Sequence, residues 1–222
     1  MKLILIHGAL NNSNEFDQFT KLFTNEVHLL KINLQGHDVD SSPMKYELML
    51  NQLAKNINEL TGEYHVLGYS LGGYLALHAC AMKLIHPKSI TTVATKLLWD
   101  NEVMEKQKAQ LNEEQLRLKA PDYLEKLKLK FNKPVDQVLN ETLELMQEIT
   151  DQQFLNLKTL AEINCKVSLC RGDKDYFVNE KDIQFGIENI KLSKQFKIKD
   201  SAHLFSKINL NELYSKWMEF IN

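Results

Sequence analysis

Tyr64-His65-Val66-Leu67-Gly68-Tyr69-Ser70-Leu71-Gly72-Gly73-Tyr74-Leu75-Ala76-Leu77-His78-Ala79-Cys80 is the stretch whose reading decides the fold. A short apolar run breaks across residues 68–72 and resumes with helical spacing, which is the pattern of a strand, a tight turn and a helix. Gly68 and Gly72 stand two residues either side of Ser70, where a side chain would collide with the neighbouring strand or helix. A serine on such a turn has a strained backbone and an exposed hydroxyl. Gly-Ser turns are common in themselves. The strand before this one and the helix after it are what give it chemical meaning.

Upstream, residues 3–6 are continuously apolar, as in a strand buried on both faces of a parallel sheet. That strand ends at His7-Gly8-Ala9. Phe16, Phe19, Leu22 and Phe23 then recur at helical spacing, residues 27–34 read as a second strand, and residues 35–43 form a polar loop with breakers at both ends. A helix is expected from about Met44 to near Gly62. Downstream of the elbow, the β-branched run of residues 89–95 predicts a fourth strand. Residues 166–170 and 195–199 predict two more, with helices over 180–189 and 204–221.

Between residues 96 and 164 the period changes. There is no glycine, charges are dense, and apolar residues repeat every three or four positions, so three or four inserted helices are expected. Pro121 and Pro134 suit first helical turns and Asp151 suits an N-cap. Elsewhere strands alternate with helices. The predicted fold class is therefore α/β, a three-layer doubly wound sandwich with a mostly parallel sheet of about six strands. Residues 1–95 and 165–222 form its core, and residues 96–164 are the insertion.

Composition narrows the partners. The 222 residues suit one compact domain with an inserted lobe. With 27 basic and 29 acidic residues the formal net charge is −2, so no global field points to nucleic acid or to a membrane surface. The N-terminal apolar run is too short for a signal peptide, and no run approaches the length of a bilayer span. Cys80, Cys165 and Cys170 are an odd set without CxxC spacing, with Cys165 and Cys170 expected on opposite faces of one strand. They read as reduced core thiols of a cytoplasmic protein. Neither HExxH nor clustered Cys/His spacing appears, so no metal is expected, and the elbow lacks the nucleotide-binding glycine patterns. No cofactor is implied.

Ligands of an open parallel sheet bind beyond the carboxyl ends of its strands. Here those ends carry His7-Gly8-Ala9, residues 35–38, Ser70, Thr95-Lys96, Asp173 with Asp175, and His203. An unassisted serine hydroxyl is a poor nucleophile and needs a neutral imidazole to take its proton, a role suited to His203. The imidazole in turn needs a carboxylate to fix its tautomer, for which Asp175 is the candidate. Negative charge developing on a substrate oxygen needs donors, which the Leu71 and Ala9 amides can supply. His65, His78, His28 and His86 read as packing or surface groups. His7, Lys96 and Trp99 stand where they can line a substrate pocket.

On these residues the chain resembles the α/β-hydrolase family over essentially its whole length. The order Ser70, Asp175, His203 is similar to that family's order of nucleophile, acid and base. His7-Gly8 resembles its oxyanion-loop motif, which carries the second oxyanion amide onto Ala9. Gly172-Asp173-Lys174-Asp175 resembles the loop that places the acid three residues after a glycine, with Asp173 as the rival. Asn33-Leu34-Gln35-Gly36-His37-Asp38 resembles the family's D-x-x-G-x-G loop, with Asn33 in place of the acid and Asp38 in place of the last glycine. The chain begins at what the family counts as its third strand. The resemblance implies that residues 96–164 are a lid walling a pocket, the alternative being a dimerisation lobe.

The implied activity is hydrolysis of a small carboxylic ester through an acyl-enzyme on Ser70, the partner being a small-molecule ester or acyl substrate and the protein a monomer or homodimer. Thioester hydrolysis, carbon–carbon bond hydrolysis and the lyase step of menaquinone synthesis use the same residues in relatives. A catalytically idle ligand-binding protein of this fold is a different class of reading. Fluorophosphonate labelling separates it from the enzymes.

Overall fold

A computed structural model describes residues 1–222. The strands are β1 (Lys2–Ile6), β2 (His28–Ile32), β3 (His65–Tyr69), β4 (Ser89–Val93), β5 (Lys166–Gly172) and β6 (Ser193–Ile198). The helices are α1 (Asp17–Thr20), α2 (Tyr46–Asn58), α3 (Leu71–Ala81), α4 (Asn101–Gln110), α5 (Glu113–Lys119), α6 (Pro121–Lys130), α7 (Val135–Gln152), α8 (Leu157–Ala161), α9 (Glu180–Asn189) and α10 (Leu210–Ile221). All strands pair in parallel, in the order β2-β1-β3-β4-β5-β6. The α/β class and the six-stranded parallel sheet expected from the sequence are present.

Alternation along the strands builds two apolar layers. Ile4, Ile6, Val66, Val167 and Leu169 face the larger one, which α2, α3, α7 and α9 cover. Leu3, Leu5, Leu67, Tyr69 and Cys170 face the smaller one, closed by Trp217 of α10 with Phe16 and Phe19. Every residue of α3 is buried, so this helix is apolar on all sides rather than along one stripe. The chain leaves β1 toward β2, then returns to place β3 on the other side of β1. The crevice at such a reversal is where ligands bind in open α/β sheets. It is flanked by the two loops that carry Ala9 and Ser70.

Several boundaries differ from the expectations. The first helix is a 3₁₀ turn over Ser13–Phe16 followed by only the four residues of α1, because the aromatic side chains, not helix length, anchor this segment. Residues 96–164 hold five helices rather than three or four. Asp151 lies in the last turn of α7 and caps nothing. Gln153 ends that helix in a left-handed conformation, and Asn156 is the residue that caps α8. Cys165 sits just before β5 rather than on it, and its thiol shares a 3.7 Å hydrogen bond with that of Cys80 without a disulfide. No helix is long and apolar enough to cross a membrane.

Candidate active site

Ser70 has φ 50° and ψ −114°, a conformation unfavourable for a residue with a side chain. The neighbouring structure holds it there. Its N–H donates to the Val93 carbonyl at 2.8 Å, and its carbonyl accepts from Gly73 N, Tyr74 N and Thr95 Oγ1 at 3.1 Å each. The two flanking glycines are required by close approach. A Cβ on Gly68 would lie 2.5 Å from Gly73 N, and one on Gly72 would lie 2.6 Å from the His7 carbonyl oxygen and closer still to that of Ile6. The elbow therefore presses directly on the end of β1. Ser70 Oγ makes no hydrogen bond within the protein and opens into a pocket it shares with Phe177.

Asp175 and His203 meet in the loops that follow β5 and β6. His203 Nδ1 lies 3.0 Å from Asp175 Oδ2, and the carboxylate side chain is fully buried. Its other oxygen, Oδ1, accepts the N–H groups of Phe177 and Val178 at 2.9 Å each. Burial works to raise this carboxyl, but the hydrogen bond and charge of His203 and the two N–H donors outweigh it, so Asp175 is held below the usual carboxylate value. Asp173, the rival acid, is on the surface and accepts from Ser201 N at 3.1 Å instead. The His203 ring lies against Phe177, with centroids 5.0 Å apart, which brings it to the pocket that Ser70 opens into. Tyr69, the residue inside the elbow, donates its hydroxyl to the His203 carbonyl at 3.0 Å.

Two backbone donors face the crevice. Leu71 opens α3, where the first N–H groups have no intrahelical acceptor and the helix dipole is positive. The Ala9 N–H carries no hydrogen bond within the protein, and Ala9 lines the pocket.

His7 does not line the pocket as expected. It is fully buried, with Nδ1 2.8 Å from the Gly8 carbonyl and Nε2 accepting from Leu34 N at 3.0 Å. Burial and the neighbouring His37 hold it well below the usual imidazole range. A neutral ring bonded at both nitrogens clamps the Gly8-Ala9 loop and has no free atom for a ligand. Lys96 and Trp99 do reach the pocket, but Lys96 is buried in an ion pair with Asp182, at 3.1 Å, so its charge is already matched. Asp182 also accepts the N–H groups of Leu97, Leu98 and Asn179. Trp99 donates its indole N–H to the Lys96 carbonyl at 3.2 Å.

The remaining walls are Tyr74 and Phe177 with Leu145, Met146 and Ile149 of α7, none of which local sequence marks as a lining residue. The cavity measures about 30 Å³, room for a water or two. His65 and His78 are taken up elsewhere, by Ser89 Oγ at 2.7 Å and Tyr46 OH at 2.8 Å. The altered loop is self-consistent: Asn33 Nδ2 donates to Asp38 Oδ2 at 3.2 Å, and Asp38 takes up a φ of 60°.

Residues 2–143 match the sequence profile of the alpha/beta hydrolase fold family. Among solved structures, the chain is similar to a lipase-esterase related protein from Clostridium acetobutylicum ATCC 824, with 17% identity, a TM-score of 0.76, and coverage of 99% of this chain and 93% of that one. It is similar to MenH from S. aureus at 18% identity and a TM-score of 0.71, covering 100% and 93% of the two chains. It is also similar to the enol-lactonase from Burkholderia xenovorans LB400 at 12% identity and a TM-score of 0.76, covering 99% and 90%. At these identities the likeness is one of fold. No curated protein matches the chain by sequence. A family match over more than half of the chain, on a six-stranded parallel sheet with the serine elbow at its switch point, places the protein in the alpha/beta hydrolase fold family.

Proposed function

We propose that the protein is a serine hydrolase that cleaves a small carboxylic ester through an acyl-enzyme on Ser70. The observation that carries this reading is the 3.0 Å pairing of buried Asp175 with His203, whose ring packs on Phe177 in the wall of the pocket into which the strained Ser70 opens. Asp175 holds Nδ1 of His203 protonated, which leaves Nε2 free to take the Ser70 proton as Oγ attacks the ester carbonyl. The resulting oxyanion is stabilised by the Leu71 and Ala9 N–H groups, both free of competing acceptors. His203 then gives its proton to the departing alcohol. Water, deprotonated by the same nitrogen, hydrolyses the acyl-enzyme.

The small apolar cavity against α7 suits a short acyl group, and residues 96–164 act in this reading as a lid that excludes water. Fold neighbours named as a lipase-esterase related protein and an enol-lactonase fit ester chemistry. The test is Ser70→Ala assayed with 4-nitrophenyl acetate and a fluorophosphonate probe. Wild type is expected to be labelled and active, and the variant to be neither while keeping its far-UV CD spectrum. A variant with full activity, or an unlabelled wild type, refutes the reading.

A further inference from the structure

Outside the acyl pocket, an open groove of about 730 Å³ lies between α6 and the core. It runs from the loop just past Ala9 to residues 204–207, which follow His203 directly, and its floor carries Glu15, whose Oε2 accepts from Gly8 N at 3.5 Å. One end of the groove is thus built from the two segments that flank the pocket mouth. In an acyl transfer the leaving group departs on the side of the base that protonates it. The volumes are strongly unequal, a cavity of about 30 Å³ for one half of the substrate and this groove for the other.

The charges in the groove are patterned. It is lined by Lys119, Lys126, Lys130 and Lys207, none of which forms an ion pair. Between residues 96 and 152 the other basic side chains are all paired: Lys96 with Asp182, Lys106 with Glu102, Lys108 with Glu105, Arg117 with Glu113, Lys128 with Glu125 and Lys133 with Glu141. The contrast falls within one helix, since Lys128 of α6 is matched by Glu125 while Lys126 is left facing the groove and Lys130 has only neutral partners there, Asn11 Oδ1 and the Leu10 carbonyl.

Only two carboxyls stand against the four ammonium groups. Asp122 is exposed, and burial pushes Glu15 up to about 8 against the opposing pull of Gly8 N, Asn11 and Lys130, which weakens its negative charge near neutral pH. In a chain of net charge −2 this is a local concentration of unmatched positive charge. Lysine ammoniums without a carboxylate partner attract anions and are point-charge donors suited to phosphate.

We propose that this groove binds the leaving group of the substrate and that the leaving group is an alcohol or thiol carrying a phosphate. The assignment of the bound anion as a leaving group rests on the hydrolase reading above; the anion site itself does not. The substrate class is then a short-chain acyl ester or thioester of a phosphorylated carrier.

Calorimetric titration with 4-hydroxyphenyl phosphate tests the site without any turnover. Wild type is expected to bind it, with affinity falling as ionic strength rises from about 0.01 M to about 0.5 M. Lys126→Gln/Lys207→Gln should bind about tenfold more weakly or worse, and Lys128→Gln should bind like wild type. In kinetics, the ratio of kcat/KM for 4-acetoxyphenyl phosphate to that for phenyl acetate should fall by a similar factor in the double variant and hold in Lys128→Gln. Equal affinity in wild type and the double variant, or no binding at low salt, overturns the anion site whatever the esterase result. Binding that follows the lysines in a protein that hydrolyses neither ester overturns the leaving-group assignment together with the hydrolase reading.

Discussion

Asp175→Asn separates the two acids of the β5 loop and has a loss that can be worked from the contacts. Asp175 Oδ1 receives two backbone N–H groups, from Phe177 and Val178, at 2.9 Å each. An asparagine must keep its oxygen on those donors, because turning its NH₂ toward them would break two hydrogen bonds at about 1 kcal/mol each and set donors against donors. The amide N–H then points at His203 Nδ1, which must accept, and the proton moves to Nε2. That tautomer cannot take the Ser70 proton.

Restoring the right tautomer by flipping the amide costs about 2 to 3 kcal/mol, a factor of about 10². Loss of the carboxylate opposite the imidazolium adds a further one to two decades, so kcat is expected to fall by about 10³ to 10⁴, with KM for 4-nitrophenyl acetate within about threefold of wild type. Asp173→Asn keeps an oxygen able to accept from Ser201 N on the surface and should keep kcat within about twofold. Steady-state kinetics on both variants check this. An Asp175→Asn enzyme within about tenfold of wild type, or an Asp173→Asn enzyme as impaired as Asp175→Asn, refutes the reasoning.

Other consequences concern stability. Gly72→Ala drives a Cβ into the Ile6 and His7 carbonyls and should cost about 3 kcal/mol or more in urea unfolding, whereas Gly62→Ala, whose Cβ would meet nothing within 4 Å, should cost about 1 kcal/mol from its φ of +78° alone. Comparable losses at the two positions would contradict the close packing of the elbow on β1. His37 and His78 are each lowered to about 4, chiefly by burial. The unfolded chain therefore binds more protons between about pH 4 and about pH 6.5, and the stability these rings confer is full above that window and lost as pH falls through it. Urea midpoints measured across the window should show the fall, and His78→Gln should make it shallower; an unchanged slope would mean that His78 is not held neutral.

Much of the fold was legible because its signals are local. Apolar runs of a few residues gave the strands, and Gly68-Tyr69-Ser70-Leu71-Gly72 marked the elbow because only glycine fits where α3 and β1 touch. Element ends and caps, as at α1 and Asp151, carry a weaker local mark, since they depend on which side chains find a core or a free amide. The candidate residues Ser70, Asp175 and His203 could be named from order and spacing. Their relation could not, because a 3.0 Å pairing across 28 positions of chain is set by how β5 and β6 lie side by side.

The sequence by itself thus determined the class of the sheet, the elbow and the list of groups able to do chemistry, all of which rest on contacts between near neighbours in the chain. Only the tertiary structure decided which of them face one another. It removed His7 from the pocket by burying it between Gly8 and Leu34, and it neutralised Lys96 with Asp182. It also set the lysines beyond His203 around one groove, where no carboxylate pairs with them. Burial and pairing are properties of approach in space, and residues far apart in sequence carry no local mark of it.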